Sequence, residues 1–243
     1  MTVPKIFIGT MYCGENDFDA CKRAIMSQID VEVEHCIIEN LPEKEAHNRL
    51  WDAWRAVQNT TFSLFVKVDA DTVLANDRVL IELCNIIKAN PRVTGIQAPL
   101  HDYYTNGFIN GLNCFTNNVI FSNSADNLYC DRNVDSGHDI VMKAENVPDI
   151  LRPAGMHCHN ASRMQSFHFG LHRSLKNQHA TLARVRAAWE IEHAETLDDN
   201  RSFALLGAVM AGSFTREGGF NYNDLRLTSA FEEAYARREQ LLR

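Results

Sequence analysis

Short apolar runs alternate with amphipathic segments through the first hundred residues. Residues 5–10 form an apolar run that predicts a strand, followed by a loop carrying Gly14, Glu15 and Asn16. Asp17 is placed to cap a helix that runs through Ile25 to about Gln28. A second strand, rich in Val and Ile, is predicted over 31–39. Pro42 and Glu43 open a helix that passes through Trp51 and Trp54 and ends near Asn59. A third strand over 62–68 runs into Asp69-Ala70-Asp71, and a helix over 78–89 leads to a fourth strand over 93–98. Strands separated by helical crossovers predict an α/β fold: a mostly parallel sheet flanked by helices. Such sheets bind ligands beyond the carboxyl ends of their strands. The loops at 10–16, 39–42 and 69–72 all fall there.

Beyond residue 100 the periodicity fades into polar, Asn- and Gly-rich stretches at 102–118 and 122–137. Long loops in a compact domain commonly carry binding function. Tyr103, Tyr104, Phe108, Asn110, Asn113 and Phe115 offer aromatic faces and amides suited to a sugar, although tight turns share this composition. Trp51, Trp54 and Trp189 read as packing residues. From 177 onward the pattern is helical, with helices predicted over 177–195, 199–211 and 223–242. The chain therefore divides into a ligand-binding and catalytic domain over 1–175 and a helical C-terminal extension over 176–243, the latter a candidate surface for homo-oligomerisation.

Bulk properties narrow the function classes. The 243 residues are 45% hydrophobic and 23% charged, ordinary for a soluble domain. A net charge of −7 gives no general attraction for nucleic acid or anionic membranes. Seven cysteines without a CxxC pair predict reduced thiols and a cytoplasmic setting. The first residues, with Pro4 and a brief apolar run, make a poor signal peptide. The longest apolar stretch, 203–212, is too short to span a bilayer.

The candidate chemistry centres on Asp69 and Asp71. A DxD triplet is common by chance, and a solvated turn with an Asp capping the next helix is its plain alternative. Its place at the end of an apolar strand aims both carboxylates into one crevice. There they suit Mg²⁺ or Mn²⁺ bridging to substrate phosphates. The segments IFIGTMYCGENDFDACKRAIMSQ, VEHCIIEN, EAHNRLWDAW and FVKVDAD, in that order, resemble the nucleotide-binding half of GT-A fold, family 2-type glycosyltransferases. The resemblance covers about the first 75 residues well and 95–175 more loosely.

The resemblance implies a GT-A-type, Rossmann-like mixed sheet and transfer of a sugar from a nucleotide donor, a UDP-sugar first, to a hydroxyl acceptor. It places Thr10 and Glu15 in the nucleoside pocket, Glu39 and Asn40 near the base or ribose, and Asn48 near the nucleotide. Asp69 would face the ribose or the metal, and Asp71 would ligate the metal directly. Glu39-Asn40-Leu41-Pro42 stands where the family commonly has Asp-Asp-Gly-Ser. In inverting members a carboxylate at the start of a helix deprotonates the acceptor. The segment 135–143 resembles that element, which points to Asp139, with Asp135 as runner-up; a helix cap and a surface pair are the alternatives. The family often adds a metal-ligating His downstream, a position that His157 fits best and His159 second.

Six of the ten histidines lie between 157 and 193. A zinc site built on His157, Cys158 and His159 is disfavoured because adjacent residues rarely point at one ion. His168 and His172 share a helix face but lack the Glu of HExxH, which argues against a metalloprotease. Arg173 and Lys176 either approach a diphosphate or form an ordinary helix face. A sugar-phosphate nucleotidyltransferase is the second enzyme reading, and residues 10–15 lack the Gly-rich phosphate loop it needs. A non-catalytic nucleotide- or sugar-binding module is the third.

Overall fold

The computed structural model describes residues 2–132, 134–193, 197–215 and 224–242. In chain order the elements are β1 (Lys5–Tyr12), α1 (Phe18–Met26), β2 (Glu32–Glu39), α2 (Glu43–Val57), β3 (Phe62–Lys67), β4 (Thr72–Leu74) and α3 (Val79–Ala89). Then come β5 (Gly95–Asp102), β6 (Gly107–Thr116), β7 (Ile120–Phe121), β8 (Val134–Ser136), β9 (Val141–Met142) and β10 (Gly155–His157). The chain closes on α4 (Arg163–Leu175), α5 (His179–His193), α6 (Asn200–Met210), α7 (Leu225–Ala236) and α8 (Arg238–Leu242). Short 3₁₀ turns, among them Cys130–Arg132, punctuate the middle.

The fold is α/β. One mixed, mostly parallel sheet runs in the order β2-β1-β3-β6-β5-β10-β4, with β9 paired to the amino end of β5. Strands β2, β1 and β3 are parallel, as predicted, and β5 is parallel to both β9 and β10. The first four predicted strands and their three helices are present with shifted ends.

Two expectations change. The stretch 102–118 is not irregular: most of it is β6, an antiparallel strand wedged between β3 and β5, its register shifting opposite Ala98 and Pro99. The helix expected to open at Asp135 does not form. Val134–Ser136 pairs with β7 instead, and the Thr94 amide donates to the Ile140 carbonyl at 2.8 Å. The predicted helix boundaries at 195 and 223 lie outside the described residues.

Strand alternation divides the interior. Ile6, Ile8, Leu64 and Val66 face α1 and α3 on one side. Phe7, Phe62 and Phe65 face α2 on the other, against the fully buried Trp51 and Trp54. A third core lies in the helical layer, where Phe167 and Leu171 of α4 pack with Phe203 and Leu206 of α6. Gly170 and Gly207 let these two helices touch: a Cβ on either would sit 1.6 or 1.9 Å from the partner helix's carbonyl oxygen. Thus α4, from the predicted first domain, shares its core with the helices of the extension. Among the described residues no helix is long and apolar enough to cross a membrane.

Candidate active site

The apolar run of β3 carries the chain to the carboxyl edge of the sheet, where the Asp69-Ala70-Asp71 turn is pinned on several sides. The Val68 amide donates to the Gly9 carbonyl (3.0 Å), and the Thr72 amide donates to that of Asp69 (2.9 Å). The Cys158 amide donates to the Asp71 carbonyl (2.8 Å). Ala70 is buried, so the turn shows only its two acids. The Lys67 ammonium donates to the Asp69 carboxylate. Burial works to raise the Asp69 carboxyl, but Lys67 outweighs it and holds the group below the usual carboxylate range.

Asp71 meets β10. His157 Nε2 lies 3.5 Å from Asp71 Oδ2, and the Cys158 thiol donates to the same oxygen at 3.1 Å. The other side of the imidazole is fixed: Nδ1 is 2.7 Å from Asp102 Oδ1 at the end of β5, and Asp102 Oδ2 accepts from both the amide and hydroxyl of Thr105. Burial works to lower the His157 pKa, but Asp71 and the bond to Asp102 reverse this and raise it. Burial likewise works to raise Asp102, while the His157 bond holds it low. With Nδ1 bonded to Asp102, Nε2 is aimed at Asp71 Oδ2 and at the Cys158 sulfur, 3.4 Å away. A carboxylate bonded to the far side of the ring in this way is what usually orients a metal-ligating histidine. Asp71 Oδ1, moreover, is buried without a hydrogen-bond partner. An orphaned carboxylate oxygen beside a directed imidazole fits a divalent cation, and Asp71, His157 and Cys158 bring their donor atoms within 4.8 Å of one another.

These groups open on a cavity of about 260 Å³, also lined by Glu15, Lys67, Asp69, Arg173 and Lys176. Met11, Cys13 and Leu41 supply an apolar side. Burial pushes the Glu15 carboxyl up to about 7, despite a bond accepted from the Cys13 amide at 2.7 Å. Helix α4 forms the opposite wall. Ser162 and Gln165 make a capping box at its start. Gln165 Oε1 also accepts from the Asn16 amide (3.4 Å), and Asp17 Oδ2 accepts from that of Asn160 (3.0 Å), so the wall is tied to the loop after β1.

Of the sequence-predicted residues, Glu15, Asp69, Asp71, His157, Arg173 and Lys176 line the cavity. Thr10 is fully buried in β1, its hydroxyl 2.9 Å from His35 Nε2. Glu39 and Asn40 are exposed where β2 ends. Asn48 brackets the backbone of Ser124, donating to its carbonyl and accepting from its amide. Asp135 and Asp139 do not line the cavity. Asp139 is exposed beside Ile140, held at the amino end of β5, whereas Asp102 and His157 mark the carboxyl end. Tyr104 and Phe115, expected on an acceptor surface, are buried in the cores.

The sequence reading missed Asp102, Glu43 and His47. Asp102 carried a signal, since it ends an apolar strand just as Asp69 follows one. So did Glu43 and His47, spaced i, i+4 on α2.

No protein-family model matches this chain, and no curated protein matches it. Among solved structures it is similar to a glycosyltransferase involved in the glycosylation of the major capsid of PBCV-1, at 13% identity and a TM-score of 0.31 over 46% of this chain. It is similar to S. aureus TarS at 11% identity and a TM-score of 0.38 over 98% of this chain. The chain spans 60% and 49% of those two chains.

Proposed function

We propose that the protein is a metal-dependent glycosyltransferase that takes its sugar from a nucleoside-diphosphate donor. The observation that carries this reading is the Asp102–His157–Asp71 relay, ending in a buried, unpartnered carboxylate oxygen within a cavity that also holds three cationic side chains. A bound Mn²⁺ or Mg²⁺ would neutralise charge building on the diphosphate as it leaves. The imidazole and thiol beside Asp71 favour Mn²⁺ over Mg²⁺. Lys67 positions Asp69, and Arg173 of α4 and Lys176 just past its end line the same space. The nucleoside would lie along Met11, Cys13 and Leu41, within reach of Glu15. An acceptor hydroxyl in this cavity meets the carboxyls of Glu15 or Asp131. The proton acceptor is therefore sought among these rather than at Asp135 or Asp139.

The test is calorimetric binding of UDP and the other nucleoside diphosphates with and without Mn²⁺, coupled to a screen for hydrolysis of nucleotide sugars. Binding should require the metal, and Asp71→Ala should abolish both metal-dependent binding and turnover. Full activity in that variant would sink the assignment. Metal-dependent binding with no cleavage of any nucleotide sugar would leave a binding module.

A further inference from the structure

A second cluster of donor atoms lies on the α2 side of the cavity. Helix α2 presents Glu43 and His47 one turn apart, and the 3₁₀ turn Cys130–Arg132 brings Cys130 against them. A carboxylate oxygen of Glu43, a ring nitrogen of His47 and Cys130 Sγ all lie within 4.8 Å of one another.

The state of His47 is informative. It is 2% exposed, and its Nδ1 lies 2.8 Å from the Glu43 carbonyl oxygen. A carbonyl only accepts, so Nδ1 carries the proton and Nε2 holds the lone pair. That Nε2 is buried with no hydrogen-bond partner. A buried polar atom left so costs roughly 1–3 kcal/mol, and native proteins rarely leave one without a bound water or ion. His172 repeats the pattern from α4: its Nε2 is buried without a hydrogen bond and stands 3.4 Å from Glu43 Oε2.

We infer that Glu43, His47 and Cys130 form a second metal site, for a transition ion of the zinc class, with its fourth position left to solvent or a ligand. A set of thiol, imidazole and carboxylate selects Zn²⁺ or Co²⁺ over Mg²⁺, and three protein ligands leave one open position in a tetrahedral site. Asp131 adjoins Cys130 and lines the same cavity, as do the cationic Lys176 and Arg173, while Lys67 is paired with Asp69. On binding, the Cys130 S–H bond breaks, its proton leaves to solvent and a sulfur–metal bond forms, so affinity rises with pH. The ion would staple the segment before β8 to α2, beside the point where Asn48 already holds Ser124. This site does not depend on the transferase reading.

Metal-free protein titrated with Co²⁺ reports thiolate ligation through a near-ultraviolet charge-transfer band. The folded wild type should show the band, Zn²⁺ should displace it and excess Mn²⁺ should not. Cys158→Ser should retain it, Cys130→Ser should lose it, and His47→Gln should weaken Co²⁺ binding by more than ~10-fold. Circular dichroism establishes that each variant is folded. Should Cys130→Ser fail to fold, His47→Gln, which keeps the thiol, carries the test. A band that survives in Cys130→Ser, unaltered affinity in His47→Gln, or no band in folded wild type would overturn the site.

Discussion

Asp102 touches His157 and Thr105, and under the proposed function its removal has a distinct signature. In Asp102→Asn the Thr105 amide and hydroxyl hold the one remaining acceptor oxygen, so an NH2 faces Nδ1 and no longer fixes the tautomer. Mn²⁺ affinity should fall ~10–100-fold while nucleotide binding returns at saturating Mn²⁺, as a calorimetric titration would show. If loss persists at saturation, Asp102 has another role. His35 gives a pH effect away from the metal residues. Burial lowers its pKa from 6.5 to about 4, so between those values the unfolded chain binds a proton that the folded chain refuses. Stability from this group is therefore complete above 6.5 and lost as pH falls toward 4. Relative to His35→Gln, wild type should lose about 1–2 kcal/mol over that range in urea melts, allowing for partial exposure. A pH-independent difference would refute the assignment.

At the scale of elements, the close approach of α4 and α6 is the most sensitive contact. A methyl at Gly170 would meet the Ala204 carbonyl, which is backbone and cannot swing aside. Gly170→Ala should destabilise the protein by ~2–4 kcal/mol and displace Arg173 and Lys176 enough to weaken nucleotide binding. A neutral result in both urea unfolding and calorimetry would show that the helices can part without cost. How legible these elements were follows the strength of their periodicity. The β–α alternation up to residue 98 was readable because β1 and β3 carry near-continuous apolar runs and Trp51 and Trp54 share one face of α2. Strand β6 was obscured by Gly107, Gly111, Asn110 and Asn113, turn-forming residues that neighbouring strands override. The base helix expected near Asp139 failed because its likeness to a family element was local, and pairing with β7 and β5 captured the segment. The Asp69–Asp71 end of the site was visible in one stretch of chain. Asp102 and Glu43 belong to it only through the fold.

At the scale of the molecule, sheet and helical layer meet at Arg201. This side chain, 3% exposed, pairs with Glu192 at 2.9 Å and donates to the carbonyls of Tyr103 and Tyr104 in the turn between β5 and β6. Removing it leaves buried acceptors unmet. Arg201→Ala should cost ~3–5 kcal/mol, and the helical layer should lose protection from amide exchange before the sheet does. A uniform loss would show that the two layers unfold as one. The capping box of α4 has a further consequence. Gln165 begins a helix and at the same time grips the Asn16 amide, while Asp17 reaches back to Asn160. The two jaws around the cavity are thereby hinged to each other at their base, so whatever a guest does to stiffen the loop bearing Glu15 also stiffens the helix bearing Arg173.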